Sequence, residues 1–300
     1  VIVAVELGLL YAVMALGVYL TYRVLDFPDL TVDGSFTTGA ATCAMMIVGG
    51  LPVPLAMIGG VVAGMLAGAV TGLLHVWGNI NALLAGILTQ IALYSINLRI
   101  MGNKANIPLL RTETAFSWLK DHDLMRTWVS VAIFAVVVLV VGLLLYLFLG
   151  TSYGVALRAT GDNELMARSQ GINTGVTKIV GLMISNGMVG LCGALIVQYQ
   201  GFADISMGIG IIVAGLASVI VGQAIFGMTS VWQAILAAVL GSIIYRGVIQ
   251  AALMVGLNPN DMKLISAVLV VAALVLPQWG PFKRLRIRRR TAQAVAEGGK

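Results

Sequence analysis

The sequence predicts an all-α, polytopic membrane protein of about nine transmembrane or partial helices, and three observations carry that prediction. Apolar residues make up 59% of the 300-residue chain and charged residues only 10%, where a soluble domain carries about 25% charged residues. Charge is missing over long reaches. No Asp, Glu, Lys or Arg occurs in the 65 residues between Asp33 and Arg99, or in the 41 between Asp204 and Arg246, and a helix needs only about 20 apolar residues to cross a bilayer. The apolar stretches are also continuous, whereas the strands of a membrane barrel would read as short alternating segments.

Nine apolar runs follow one another, at about 1–22, 34–50, 52–76, 80–98, 128–150, 176–200, 208–227, 231–256 and 262–278. Pro28 follows the first, and the opening residues show neither the basic region nor the cleavage site of a signal peptide. The second is short and rich in Thr, Gly and Ala, so it reads as a broken or partial helix. Pro52 and Pro54 separate it from the third. That run carries Gly60, Gly64, Gly68 and Gly72 at four-residue spacing, one bare ridge on a helix. Such a ridge lets another backbone approach closely, within the chain or across a subunit interface. Trp77, Trp128, Trp232 and Trp279 stand at run ends, where indoles settle at the headgroup level. The seventh run, with Gly208, Gly210, Gly215 and Gly222, is the counterpart of the second. Each follows a longer apolar run and a short acidic connection, Asp26–Asp33 or Asp204. Pro259 precedes the last run, and Pro277 and Pro281 close it. Cys43 and Cys192 lie in apolar runs and read as small packing residues. His75 and His122 are isolated, so no metal site and no catalytic residue is expected.

The net charge of +6 matches that of the last 18 residues, where Lys283, Arg284, Arg286, Arg288, Arg289, Arg290 and Lys300 face only Glu297. A basic tail after the last apolar run places the C-terminus in the cytoplasm and offers a contact for anionic membrane lipid. Nucleic acid is not an expected partner, because no folded domain accompanies these charges. With residue 150 cytoplasmic and five runs before it, the N-terminus lies outside. The two halves then run in opposite directions, as inverted repeats do. The loop 99–127 speaks against this orientation, since it would be external yet holds Arg99, Lys104, Arg111, Lys120 and Arg126.

The segment 151–178, between two apolar runs, is too polar to lie in lipid. Asp162 or Asn163 can cap a helix start, Glu164 adds favourable charge in its first turn, and Gly171 can end it in a left-handed conformation. A short amphipathic helix is therefore predicted on the cytoplasmic side, with Leu165, Met166 and Ser169 on one face. The string Leu157-Arg158-Ala159-Thr160-Gly161-Asp162-Asn163, with Ala167-Arg168 and Gly171-Ile172 after it, resembles the coupling-helix signature of ABC importer permeases. It is similar to the branch serving branched-chain amino acids, ribose and related solutes. Asp26 to Ala41, DFPDLTVDGSFTTGAA, resembles the tryptophan/tyrosine-type members, and 204–227 also fits.

The resemblance implies a permease subunit of an ABC importer in a bacterial inner membrane, carrying a small polar solute with an amino acid first. It implies that Arg158, Gly161, Asn163, Glu164, Leu165, Met166, Arg168 and Gly171 couple to a separate ABC ATPase subunit. It further implies an extracytoplasmic solute-binding protein and a second permease copy, identical or paralogous. The chain has no G-x-x-x-x-G-K-[ST] phosphate loop, so ATP and magnesium are expected on the partner ATPase and no cofactor here. Residues 1–282 would form one permease domain, its halves 1–150 and 176–282 flanking a coupling loop 151–175, with 283–300 a basic tail. Polar residues inside a membrane point to the pathway because they are costly facing lipid. The candidates are Asp33, Ser35, Asn81, Gln90, Asn97, Asn186 and Gln223, with Glu6, Ser185 and Gln198 beside them. Asp33 could meet the cargo or cap the start of its own helix through Ser35 or Phe36. The rival reading is an ion- or proton-coupled secondary transporter, which shares repeats and broken helices but needs no docking helix.

Overall fold

A computed structural model describes residues 2–109, 112–227, 229–254, 264–268 and 271. The first run forms α1 (Ile2–Tyr19), which continues as a π-helical turn over Leu20–Val24. Then come α2 (Val32–Val48), α3 (Val53–Val76) and α4 (Ala82–Ile100). The connection that follows holds a strand, β1 (Asn106–Pro108), and a short helix, α5 (Ser117–Asp121). α6 (Trp128–Gly150) leads into two polar helices, α7 (Ser152–Asp162) and α8 (Glu164–Ser169). α9 (Thr174–Gln200), β2 (Phe202–Asp204), α10 (Ile211–Phe226) and α11 (Val231–Met254) complete the order. Among the described residues six helices are long and apolar enough to cross a membrane: α1 with its π-turn, α3, α4, α6, α9 and α11. Most of the ninth run lies outside the described residues, as does the basic tail; 264–268 is helical.

Helices dominate because continuous apolar sequence must satisfy its backbone within the segment. α1 and α9 form the centre and run antiparallel. Ser185 Oγ donates to the Gly17 carbonyl at 2.7 Å, and at the other end Tyr199 OH donates to Glu6 at 2.8 Å. α3 packs antiparallel on α9, and α11 packs antiparallel on α1, where Ser242 Oγ donates to the Gly8 carbonyl at 2.8 Å. α2 lies against α3 and α9, and α10 against α11 and α1. The triplets α1–α2–α3 and α9–α10–α11 thus take matching places about the central pair. α4 covers α2 and α3, while α6 lies on α1 and keeps most of its apolar surface outward.

The glycine ridge lies against α9. A Cβ on Gly64 would collide with the Asn186 carbonyl, and one on Gly68 with that of Leu182. At Gly60 it would come within 2.9 Å of the Gly39 carbonyl of α2, and at Gly72 within 2.9 Å of Ile179 Cα. Gly190 answers from α9, leaving no room for a side chain against the Gly60 carbonyl.

α2 starts inside the bundle, and α10 starts level with it at an exposed turn. The turn before α2 is buried at Asp29, which accepts a hydrogen bond at 2.7 Å from Asn186, midway along α9. α10 starts beside Asp33 in the first turn of α2. The short second and seventh runs are therefore short because their helices cross only part of the bundle. At the end where α9 finishes, β1 and β2 pair antiparallel, with Ile107 opposite Ala203. Phe116, just before α5, and Leu119 within it enter the main core there. The described parts of the charged loop, 99–109 and 112–127, thus fold over the end of the bundle that holds the start of α1, and α7 and α8 lie at the opposite end.

Candidate translocation and coupling sites

The sequence expectation that Asp33 caps its own helix is not met. Thr31 is the N-cap residue of α2 and makes no side-chain cap, while Asp33 is already helical. Its carboxylate crosses to α10 instead, accepting from Gly210 N at 2.7 Å and from Ile212 N at 2.8 Å. Gln90 Nε2 of α4 reaches the same carboxylate at 3.5 Å. The first N–H groups of a helix lack partners within it and carry partial positive charge, so a carboxylate there is favourable twice over. Gly210 itself stands at φ +81°, the left-handed conformation from which the chain enters α10. Gly208 touches the Asp33 carbonyl so closely that no side chain fits. One acid, with both oxygens engaged, joins the N-terminal ends of the two partial helices.

The remaining pathway candidates do not converge. Asn186 donates to Asp29 and, at 3.0 Å, to the Leu182 carbonyl, while its own Oδ1 is buried without a partner. Asp29, which the sequence did not single out, also accepts from Thr31 N at 2.9 Å. Thr31 in turn bonds Thr71 of α3 at 2.6 Å. The acidic connection was visible in the sequence, but its return into the bundle was not. Ser35 Oγ and Asn97 Oδ1 are buried and unpartnered, as is Gln223 Nε2. Asn81 is misplaced as an intramembrane residue. It is exposed in the turn after α3 and caps α4, accepting from Leu83 N at 3.0 Å. Glu6 is fully buried and accepts from Arg126 N, Ser130 Oγ and Tyr199 OH. Gln198 ties Ala115 of the loop to α9, with Ala115 N donating to its Oε1 at 2.8 Å. These two residues hold the fold together.

The polar segment is better organised than its sequence suggested. Asn163, not Asp162, caps α8, accepting from Met166 N at 3.0 Å, and Gly171 closes it at φ +81°. Ahead of it lies α7, which the sequence reading lacked; Thr151 caps it and Leu157 anchors it in the core. Gly161 of α7 presses on the backbone of Val24 and Leu25 at the end of the π-turn, with no space for a Cβ. Glu164 accepts from Lys178 Nζ at 2.8 Å and from Arg168 at 2.7 Å, and Arg168 Nε also donates to Thr174 at 2.8 Å. The Lys178 hydrogen bond foremost, and the neighbouring cations, hold the Glu164 carboxyl below the usual glutamate value. Arg168 therefore braces the segment. Arg158 is exposed beside it. Leu165 is 80% exposed and Met166 61% exposed, on a helix end held rigid from behind. Two large apolar side chains thus stand exposed on a braced polar element outside the apolar helices.

The chain matches the family described as "Branched-chain amino acid transport system / permease component" over residues 3–274. It is 43% identical over 267 residues to a tyrosine transport system permease protein of Clostridioides difficile (strain R20291), covering 89% of this chain and 88% of that one. It is 26% identical over 248 residues to an autoinducer 2 import system permease protein of Escherichia coli (strain K12 / DH10B), covering 79% of this chain and 66% of the relative. Among solved structures, PsaBC from Streptococcus pneumoniae in complex with Fab shares the fold. Its TM-score is 0.52 at 17% identity, over 96% of this chain and 93% of that one.

Proposed function

The chain belongs to the permease-component family of branched-chain amino acid transport systems, and on that premise we propose how it works as the membrane-spanning subunit of an ABC importer. Its cargo is an amino acid, with tyrosine the first candidate because of the 43% identical relative. A partner ATPase binds ATP and magnesium and docks on Leu165 and Met166. An extracytoplasmic solute-binding protein delivers cargo to the end covered by β1, β2 and α5, and a second permease copy completes the pathway. The membrane is a bacterial inner membrane, with the α7–α8 end and the tail 283–300 in the cytoplasm. Residues 1–282 act as one permease domain, its halves 1–150 and 176–282 related as inverted repeats of about nine helices and joined by the loop 151–175. The matching, antiparallel places of α1–α2–α3 and α9–α10–α11 support that repeat.

The observation that carries this reading is α8: two exposed apolar side chains on a one-and-a-half-turn helix that Glu164, Arg168 and Lys178 hold in place. ATP binding draws the ATPase subunits together and moves α7 and α8. Gly161 passes that movement to the end of α1, the central helix, and so to the junction of α2 and α10. Coupling between sites is reciprocal, so a loaded binding protein favours the ATPase-closed state. Reconstituted uptake tests the reading. Vesicles holding the permease with its ATPase should take up L-tyrosine only with ATP inside and binding protein outside. Uptake by the permease alone, driven by an ion gradient, would overturn it in favour of a secondary carrier.

A further inference from the structure

We propose that Arg246 is an anion-binding residue of the translocation pathway, taking the carboxylate of a passing amino acid on its guanidinium while Tyr11 holds that group from below. The assignment rests on the amino-acid reading of the cargo. Arg246 ends a charge-free stretch of 41 residues and lies well inside α11, opposite Tyr11 near the middle of the α1 span. Its Cζ stands 3.6 Å from the centre of the Tyr11 ring, and its Nε is buried without a hydrogen-bond partner.

A guanidinium does not lose its proton, so at this depth its charge needs compensation from an acid, from water or from a ligand. The described residues supply no acid. Both of their ion pairs belong to Glu164, at the far end of the molecule. The acids inside the bundle are engaged elsewhere: Glu6 by Arg126 N, Ser130 and Tyr199, Asp29 by Thr31 and Asn186, Asp33 by the start of α10 and Gln90. The Tyr11 face offsets part of the cost by cation–π attraction, and it does so on one side only. Arg246 is half-buried, its Nε has no partner, and a carboxylate held bidentately is the geometry its planar fork matches best.

The surroundings suit an amino acid. Tyr11 stacks on Phe36 of α2 with ring planes 8° apart and centroids 6.1 Å apart. Phe36 follows Asp33 by three residues, on the same face of α2. Arg246, Tyr11, Phe36 and the α2–α10 junction therefore form one continuous row: a fixed cation, two aromatic rings and the paired N-terminal ends of two helices.

Two variants test this in the complete transporter. In Arg246→Gln the charge and the fork are removed without adding bulk. We expect assembly and melting temperature near those of the parent, and uptake per ATP lowered at least about tenfold, with Arg246→Lys recovering only part because it lacks the fork. In Arg246→Cys, a charged, water-soluble methanethiosulfonate reagent should modify the new thiol in at least one nucleotide state, and L-tyrosine should slow the reaction. The parent is the control, since Cys43 and Cys192 are buried. A thiol that stays unmodified with and without ATP would overturn the pathway placement. A folded Arg246→Gln transporter with unchanged uptake per ATP, beside a parent that transports, overturns the carboxylate role alone. A parent assembly that takes up no amino acid overturns the cargo reading and this assignment together.

Discussion

Asp33 shows how one side chain can serve a different helix from its own. It sits in the first turn of α2, but the N–H groups it satisfies belong to α10, 177 and 179 residues further along the chain. Asp33→Ala should leave the part-buried N–H groups of Gly210 and Ile212 without their acceptor, at up to about 1–3 kcal/mol each. Asp33→Asn keeps one accepting oxygen and should cost less, though more than the few tenths expected of an exposed site. Melting of both variants in detergent measures this, and an alanine variant that melts like the parent would contradict the bridge. Glu164 gives a prediction about pH. Its folded carboxyl lies below the ordinary glutamate value because Lys178 donates to it. Its contribution is therefore present above that ordinary value and lost as pH falls through the folded one. Protection of the backbone amides across 163–174, taken as exchange relative to the intrinsic rate at each pH, should fall when pH drops from neutral to about 3, and Glu164→Gln should remove most of that dependence.

At the scale of elements, the glycine ridge and the π-turn differ in purpose. Gly64 and Gly68 lie where α3 meets the carbonyls of α9, so Gly64→Leu or Gly68→Leu must push two backbones apart. Overpacking of this kind costs about 1–3 kcal/mol or more, and each variant should melt earlier; equal melting would mean the ridge faces lipid. Gly161 presses on the π-turn with no room for a methyl group. There the expected loss is in coupling: Gly161→Ala should lower uptake per ATP more than it lowers ATP hydrolysis, and a proportional fall in both would contradict the transmission role. What the sequence made legible at this scale was local. Asn163 and Gly171 were readable as helix ends because a cap needs only its own few residues. The partial length of α2 and α10 was readable from short, Gly-rich runs. α7 was not, because its mixed apolar and polar residues lack the long apolar signature that marked the spans. Asn81 was misread for the converse reason: an uncharged run does not reveal that its first residue stands in an exposed turn.

In the described residues α1 and α9 form a central antiparallel pair, with α2 and α3 packed on α9 and α10 and α11 packed on α1, a charged cover at one end and a braced polar helix pair at the other. Composition alone announced the membrane. The pairing of α1 with α9, and the crossing of Asp33 to α10, depend on contacts between residues more than 160 apart, and no local pattern encodes those. The function proposed above stands or falls with α8 as the docking helix. The most direct test replaces Leu165 and Met166 together with Asp, on a face where 80% and 61% exposure leaves folding little affected, and measures ATPase capture and amino-acid uptake in the same preparation. Charge buried at a docked apolar surface costs several kcal/mol. We expect a double variant that melts like the parent, no longer retains the ATPase and no longer transports. A double variant that binds the ATPase and transports at the parent's rate would contradict it.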